Sequence, residues 1–101
     1  KKLTLYISDN LHQKLPTTKD LATRFGTNEY TLKALFRKYM STSIYQFYSQ
    51  ERLKEAHDLI TNTTMPLQDI AVLSGYNKYR SFYKAFKKHY KYGPGQLKRL
   101  R

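Results

Sequence analysis

The chain repeats itself, and that repetition restricts its fold more than any other feature. Sliding the sequence along itself by about 49 positions places Asp20, Leu21, Ala22 and Gly26 on Asp69, Ile70, Ala71 and Gly75. One extra residue in the second turn moves the offset to about 50, and Leu32, Phe36, Arg37 and Lys38 then fall on Phe82, Phe86, Lys87 and Lys88. A solenoid needs at least three stacked repeats to bury a continuous core. Two copies therefore imply one small domain carrying two equivalent units.

Each copy reads as two short helices around a glycine turn. In the second, Gln68 to Lys88, the first helix turns Ile70, Ala71 and Leu73 inward. Gly75 supplies the left-handed residue that ends it, and Asn77 stands where the next helix needs a cap. That next helix buries Phe82, Ala85 and Phe86. Lys78, Tyr79, Arg80, Ser81, Tyr83, Lys84, Lys87 and Lys88 are left for other faces, rich in donors and without one acid. In the first copy, Thr17 with Asp20 forms a capping box with the shorter acid, and Leu21, Ala22 and Phe25 lead to Gly26. Thr27 or Asn28 then caps a helix with Leu32, Leu35 and Phe36 inward, leaving Tyr30, Lys33, Ala34, Arg37 and Lys38 to face elsewhere.

The segments around the copies are also helical in pattern. Leu3, Ile7 and Leu11 form one stripe on an opening helix that stops before Pro16. Between the copies, Ser43 and Gln46 make a capping box, and Ile44, Phe47, Leu53, Ala56 and Ile60 continue a helix until Asn62, Thr63 and Thr64 break it. Its length of about 20 residues gives roughly 30 Å, close to the ~34 Å between successive major grooves on one face of B-DNA. The helix is long enough to act as a ruler. Pro66 opens the second copy, and Pro94, between Gly93 and Gly95, starts a short basic tail, LKRLR.

Charge identifies the kind of partner. The formal net charge is +12, from 19 Lys and Arg against 7 Asp and Glu, more than solubility requires and suited to a polyanion. Every acid lies at or before Asp69, whereas Lys78, Arg80, Lys84, Lys87, Lys88, Lys91, Lys98, Arg99 and Arg101 all follow it. A basic, exposed helix of this kind suits the DNA major groove.

Other classes fit less well. Cysteine is absent, so neither disulfides nor cysteine-ligated zinc support the fold. No apolar run approaches the ~18 residues of a membrane span, and no signal-peptide core opens the chain. His12, His57 and His89 are scattered, without the spaced partners a metal site or general base needs. There is no nucleophile elbow, phosphate-cradling glycine loop or HExxH run, and one small core leaves little room for a substrate cleft, so an enzyme is not expected. The alternative is a nonspecific cationic nucleic-acid-binding domain. Against RNA or a lipid surface stand the missing RRM and KH signatures and the glycine breaks in the basic helices. Tyr45, Tyr48 and Tyr76 fit packing positions, whereas Tyr79 and Tyr83 favour contact with a partner.

Taken together, the doubled motif, the linker residues RLKEA and the run IAVLSGYNKYRSFYKAFKKHYKYGPGQLKR resemble the DNA-binding domain of AraC/XylS transcription regulators. The match is densest at Ile70, Ala71, Gly75, Tyr76, Phe82, Phe86, Lys87 and Pro94, with Leu21, Ala22, Leu32, Phe36, Arg52, Leu53 and Ala56 agreeing elsewhere. Two departures stand out. Ser41 and Lys91 occupy turns where the family often has glycine, so these turns form without glycine's freedom at positive φ. Leu97 and Lys98 replace a common aromatic residue and arginine in the tail.

The resemblance implies an all-α, homeodomain-like fold of about seven helices, two helix-turn-helix motifs joined by a long linker helix. Residues 1–101 form a single DNA-binding domain: 1–40 hold helix 1 and the first motif, 41–64 the linker, 65–101 the second motif and C-terminal helix. Both recognition helices enter adjacent major grooves of one asymmetric duplex site. Asn28, Glu29, Tyr30, Lys33 and Ala34 read from the first, and Lys78, Tyr79, Arg80, Ser81, Tyr83 and Lys84 from the second. Arg80 can pair bidentately with guanine, Lys33 and Lys84 can donate to guanine or phosphate, and the tyrosines can meet thymine methyls or phosphate oxygens. Arg37, Lys38, Lys87 and Lys88, further along, are placed for phosphate. No cofactor is implied. A bacterial, cytoplasmic regulator of this type brings RNA polymerase as a further partner. It also has an upstream sensing or dimerisation domain, which fits an opening at Lys1 without methionine.

Overall fold

A computed structural model describes residues 2–11 and 14–100, so His12 and Arg101 lie outside the described residues. Among the described residues there are seven α-helices and no strand: α1 (Lys2–Asp9), α2 (Thr18–Arg24), α3 (Glu29–Met40), α4 (Ile44–Asn62), α5 (Leu67–Leu73), α6 (Tyr79–Tyr90) and α7 (Pro94–Leu100). They divide into two units, Lys1–Ser49 and Gln50–Arg101.

In the first unit, Leu3, Ile7 and Leu11 are buried with Leu21, Ala22, Leu32, Phe36, Ile44 and Tyr48. The opening helix is shorter than its stripe predicts. It stops at Asp9 because Asn10 turns its side-chain amide back to the Tyr6 carbonyl (2.8 Å), a local bond that competes with the next helical turn. Thr17 accepts from the Asp20 amide (3.1 Å) and starts α2, so the hydroxyl half of the expected capping box is present. Gly26, with φ +72°, turns the chain into α3, which Asn28 caps.

The second unit is built the same way. Its core holds Leu53, Ala56, Ile60, Ile70, Ala71, Phe82, Phe86 and Leu97. The helices of the two motifs match in length, with seven residues in α2 and α5 and twelve in α3 and α6. Pro66 stands at the N-cap of α5 with φ −60°, the angle its ring imposes. The turn after α5 is clamped. Gly75 adopts φ +90°, and Arg52 of α4 donates from Nη1 to the Ser74 carbonyl (3.1 Å). A Cβ on Gly75 would fall onto that guanidinium, so glycine is required here both for its dihedral and for its lack of a side chain.

The single core expected from chain length is two clusters instead. The cause lies in α4, which begins with the predicted Ser43–Gln46 box: Gln46 donates to Ser43 Oγ (3.1 Å) and the Ser43 amide donates back (3.3 Å). Ile44 and Tyr48 join the first cluster, and Leu53, Ala56 and Ile60 the second. The five-residue step from Tyr48 to Leu53 breaks the three-and-four spacing that one core would need.

Two other expectations fail for one reason. Leu35 and Leu73, read as inward, are 46% and 40% exposed. The buried stripes on α3 and α5 are narrow, Leu32 with Phe36 and Ile70 with Ala71, and both leucines fall on the flank. Tyr45, read as packed, is 68% exposed, because Ile44 and Tyr48 already fill the inward positions at that end of α4.

Candidate nucleic-acid interface

The site grows from the two twelve-residue helices. At the start of α3, Asn28 is extended and its Oδ1 accepts from the Thr31 amide (2.8 Å), so this candidate contact residue is also the cap. Glu29 holds the Lys33 ammonium at 3.5 Å across one helical turn. Such exposed i,i+4 pairs contribute only ~0.3–0.5 kcal/mol, so Lys33 can change partners at little cost. Tyr30 is 82% exposed. With Lys33, Ala34, Arg37 and Lys38 it lines one open hollow, so the structure brings these predicted contacts onto a common surface.

Helix α6 is more strongly two-sided. Phe82 and Phe86 are fully buried, their rings 5.6 Å apart. Full burial of each contributes ~1.5–3 kcal/mol and fixes the rotation of the helix. Arg80, Ser81, Lys84, Lys87 and Lys88 are left exposed, a cationic face without an acid. The cap differs from expectation. Lys78, not Asn77, sits at the N-cap, and its side chain makes no cap hydrogen bond. Asn77 precedes the cap by one position.

The tyrosines divide as well. Tyr79 is half-buried, its ring 5.9 Å from Phe82 and 6.4 Å from Tyr83. Burial, and next the neighbouring Tyr83 phenol, push its hydroxyl pKa up from the ordinary tyrosine value. Tyr79 thus packs as well as faces outward. Tyr83, 38% exposed, carries the Lys87 ammonium over its ring at 5.8 Å. Away from this face, His57 bonds the Tyr92 hydroxyl (2.8 Å) and packs on Tyr90 (4.7 Å), a structural use of the ring. His89 lies edge-on to Tyr90.

A helix-turn-helix domain model matches residues 21–100, most of the chain. The chain belongs to the AraC/XylS family. It is 26% identical over 95 residues to the melibiose operon regulatory protein of Escherichia coli K12, covering 94% of this chain and 31% of that protein. It therefore spans about a third of that curated relative. The fold is similar to the C-terminal domain of AraT, a response regulator from Geobacillus stearothermophilus, with TM-score 0.86, 25% identity, and coverage of 99% of this chain and 83% of that one. It also matches the DNA-binding domain of AdpA, a structure in complex with a target DNA: TM-score 0.86, 16% identity, 98% of this chain and 88% of that chain covered.

Family membership makes this an AraC-type DNA-binding domain of the kind that transcription regulators carry, and not an enzyme. Among the described residues no helix is long and apolar enough to cross a membrane. The AraC/XylS turn glycines missing at Ser41 and Lys91 leave the turn geometry intact. Both residues adopt the left-handed conformation, φ 60° and 70°, and each amide bonds back to a carbonyl in the last turn, of Arg37 or Lys87. The departure at Leu97 is absorbed by burial in the second cluster. Sequence reasoning assigned Tyr45 to packing, yet it lines a cavity with Lys33 and Arg37. The signal was the spacing of Ile44 and Tyr48, which leaves position 45 off the stripe.

Proposed function

We propose that the chain is the sequence-reading domain of a bacterial transcription regulator, with α3 and α6 entering adjacent major grooves of one asymmetric duplex site. One observation carries this reading: two motifs of equal helix lengths each leave a cationic face on the second helix, and on α6 that face has no acid. Residues 1–101 act as one DNA-binding module, with 1–40 and 65–101 supplying the readers and 41–64 the connection. Asn28, Glu29, Tyr30, Lys33 and Ala34 belong to the first contact surface, and Lys78, Tyr79, Arg80, Ser81, Tyr83 and Lys84 to the second. Arg37 and Lys88 lie further along their helices, where the DNA backbone runs. Helix α4, 19 residues or about 28 Å long, is the stretch of chain that connects the readers. The whole regulator works in the cytoplasm, with an upstream sensing or dimerisation domain and RNA polymerase among its partners.

Selection of bound duplexes from a random pool tests this directly. Two sequence boxes about one helical turn apart are expected. Inserting about 5 base pairs between them should leave only one box protected in footprints, because the second then lies on the opposite face of the duplex. With about 6 to 10 phosphates neutralised, log affinity should fall against log salt with a slope of about −5 to −9. Recovery of no preferred sequence, with the same steep slope, would leave the nonspecific cationic binder instead.

A further inference from the structure

The internal repeat exposes a difference that neither copy shows alone. In the first unit, Thr18, Lys33, Arg37, Ser43, Ile44 and Tyr45 line a cavity of roughly 250 Å³. Carried to the second copy at the offset of about 50, Lys33 becomes Tyr83, Arg37 becomes Lys87, Ser43 becomes Gly93 and Tyr45 becomes Gly95. There the Tyr83 ring is pressed onto the backbone of Gly93, so closely that an added Cβ would lie 2.9 Å from its Cε1. The second copy has a ring where the first has a lysine, and glycines where the first has a serine and a tyrosine. One has a lysine on the recognition helix and a tyrosine on the helix after it; the other has a tyrosine on the recognition helix and glycine on the helix after it.

We propose that the first-unit cavity receives a phosphate of the DNA backbone beside the groove entered by α3, and that Tyr83 closes the matching place in the second unit. The lining chemistry is that of a phosphate site. Arg37 and Lys33 are cationic, Thr18, Ser43 and Tyr45 are hydroxyl donors, and no acid lines the cavity. Ser43 Oγ already accepts from the Gln46 amide, which leaves its proton to donate. Tyr45 is exposed and lines the cavity, with its ring 6.4 Å from that of Tyr48. Lys33 and Arg37 also line the hollow on the recognition face, so the cavity opens where a bound duplex passes. Glu29 is the ion partner that Lys33 gives up.

This site rests on the DNA-binding reading, and its test separates the two. Wild type, Arg37→Ala and Tyr45→Phe are titrated with the selected duplex and a random duplex over a salt series. They are then titrated with selected duplexes in which one phosphate at a time is replaced by an uncharged methylphosphonate. Arg37→Ala should weaken both duplexes alike, about three- to tenfold, and lower the salt slope by about one. Tyr45→Phe, which keeps the charge and ring, should cost about two- to fivefold. At one methylphosphonate position flanking the first box, the loss seen with wild type should shrink in both variants, more in Arg37→Ala than in Tyr45→Phe. A loss for Arg37→Ala confined to the selected duplex, or no position coupled to Tyr45→Phe, overturns the site while DNA binding stands. Failure of the wild type to bind duplex DNA would remove the underlying reading instead.

Discussion

The turns at Gly26 and Gly75 solve the same problem in different surroundings. Each follows a seven-residue helix, and each needs a residue at positive φ to launch the next helix. Around Gly26 nothing stands within 4 Å of where a Cβ would go, whereas at Gly75 the Arg52 guanidinium occupies that place and bonds the Ser74 carbonyl. The first turn needs glycine for its dihedral alone. The second also needs the space, because a neighbouring helix reaches in to hold the carbonyl of Ser74, the C-cap of α5. A repeat seen in sequence thus marks a shared local conformation, while the forces that hold it can differ copy by copy.

The sharpest test of that difference is a pair of alanine substitutions. Gly26→Ala should cost about 1–2 kcal/mol, the strain of a left-handed alanine. Gly75→Ala should cost about 3–5 kcal/mol, because the same strain is joined by loss of a charged hydrogen bond to a buried carbonyl. Urea unfolding of the two variants checks this, and equal losses would mean that Arg52 contributes nothing to the turn.

A middle-sized effect separates the recognition helices. Arg80→Ala on the acid-free face should lose about 1–3 kcal/mol on the selected site and much less on random DNA, while Lys88→Ala weakens both alike. Equilibrium titration with the two duplexes gives the answer. Losses of equal size on both for Arg80→Ala would make α6 a backbone clamp only.

The smallest effect concerns the caps. Asn28→Ala should destabilise by about 1 kcal/mol, since it removes the acceptor for the Thr31 amide. Lys78→Asn, which supplies the missing acceptor on α6, should raise stability by about 0.5–1 kcal/mol. Thermal melting distinguishes them. No gain from Lys78→Asn would show that the amides at the start of α6 are satisfied without a side chain.

Much of this was readable beforehand because it is local. Thr17, Asn28 and the Ser43–Gln46 pair act through bonds within three residues, and Phe82 and Phe86 sit four apart on one face, so spacing alone identifies them. What failed depends on how wide a buried stripe is. Leu35 and Leu73 are apolar and lie near the inward line, yet the buried stripe, whose width is fixed by partners distant in sequence, is narrow and leaves them exposed on its flank. Asn77 missed its role by one residue because the extra residue in the second turn pushes the helix start to Tyr79. The clamp from Arg52 and the cavity at Tyr45 were hidden for a further reason: both join residues from separate helices, and no spacing within one helix encodes them.

The break in the apolar stripe of α4 has a dynamic consequence. Its first turns are anchored by Ile44 and Tyr48 and its later turns by Leu53, Ala56 and Ile60, in clusters that share no residue. Opening energies in proteins follow local packing, so the two ends of this one helix belong to different cooperative units. If the first unit loosens, the helix can fray only as far as the Tyr48–Leu53 seam before it meets turns held by the second.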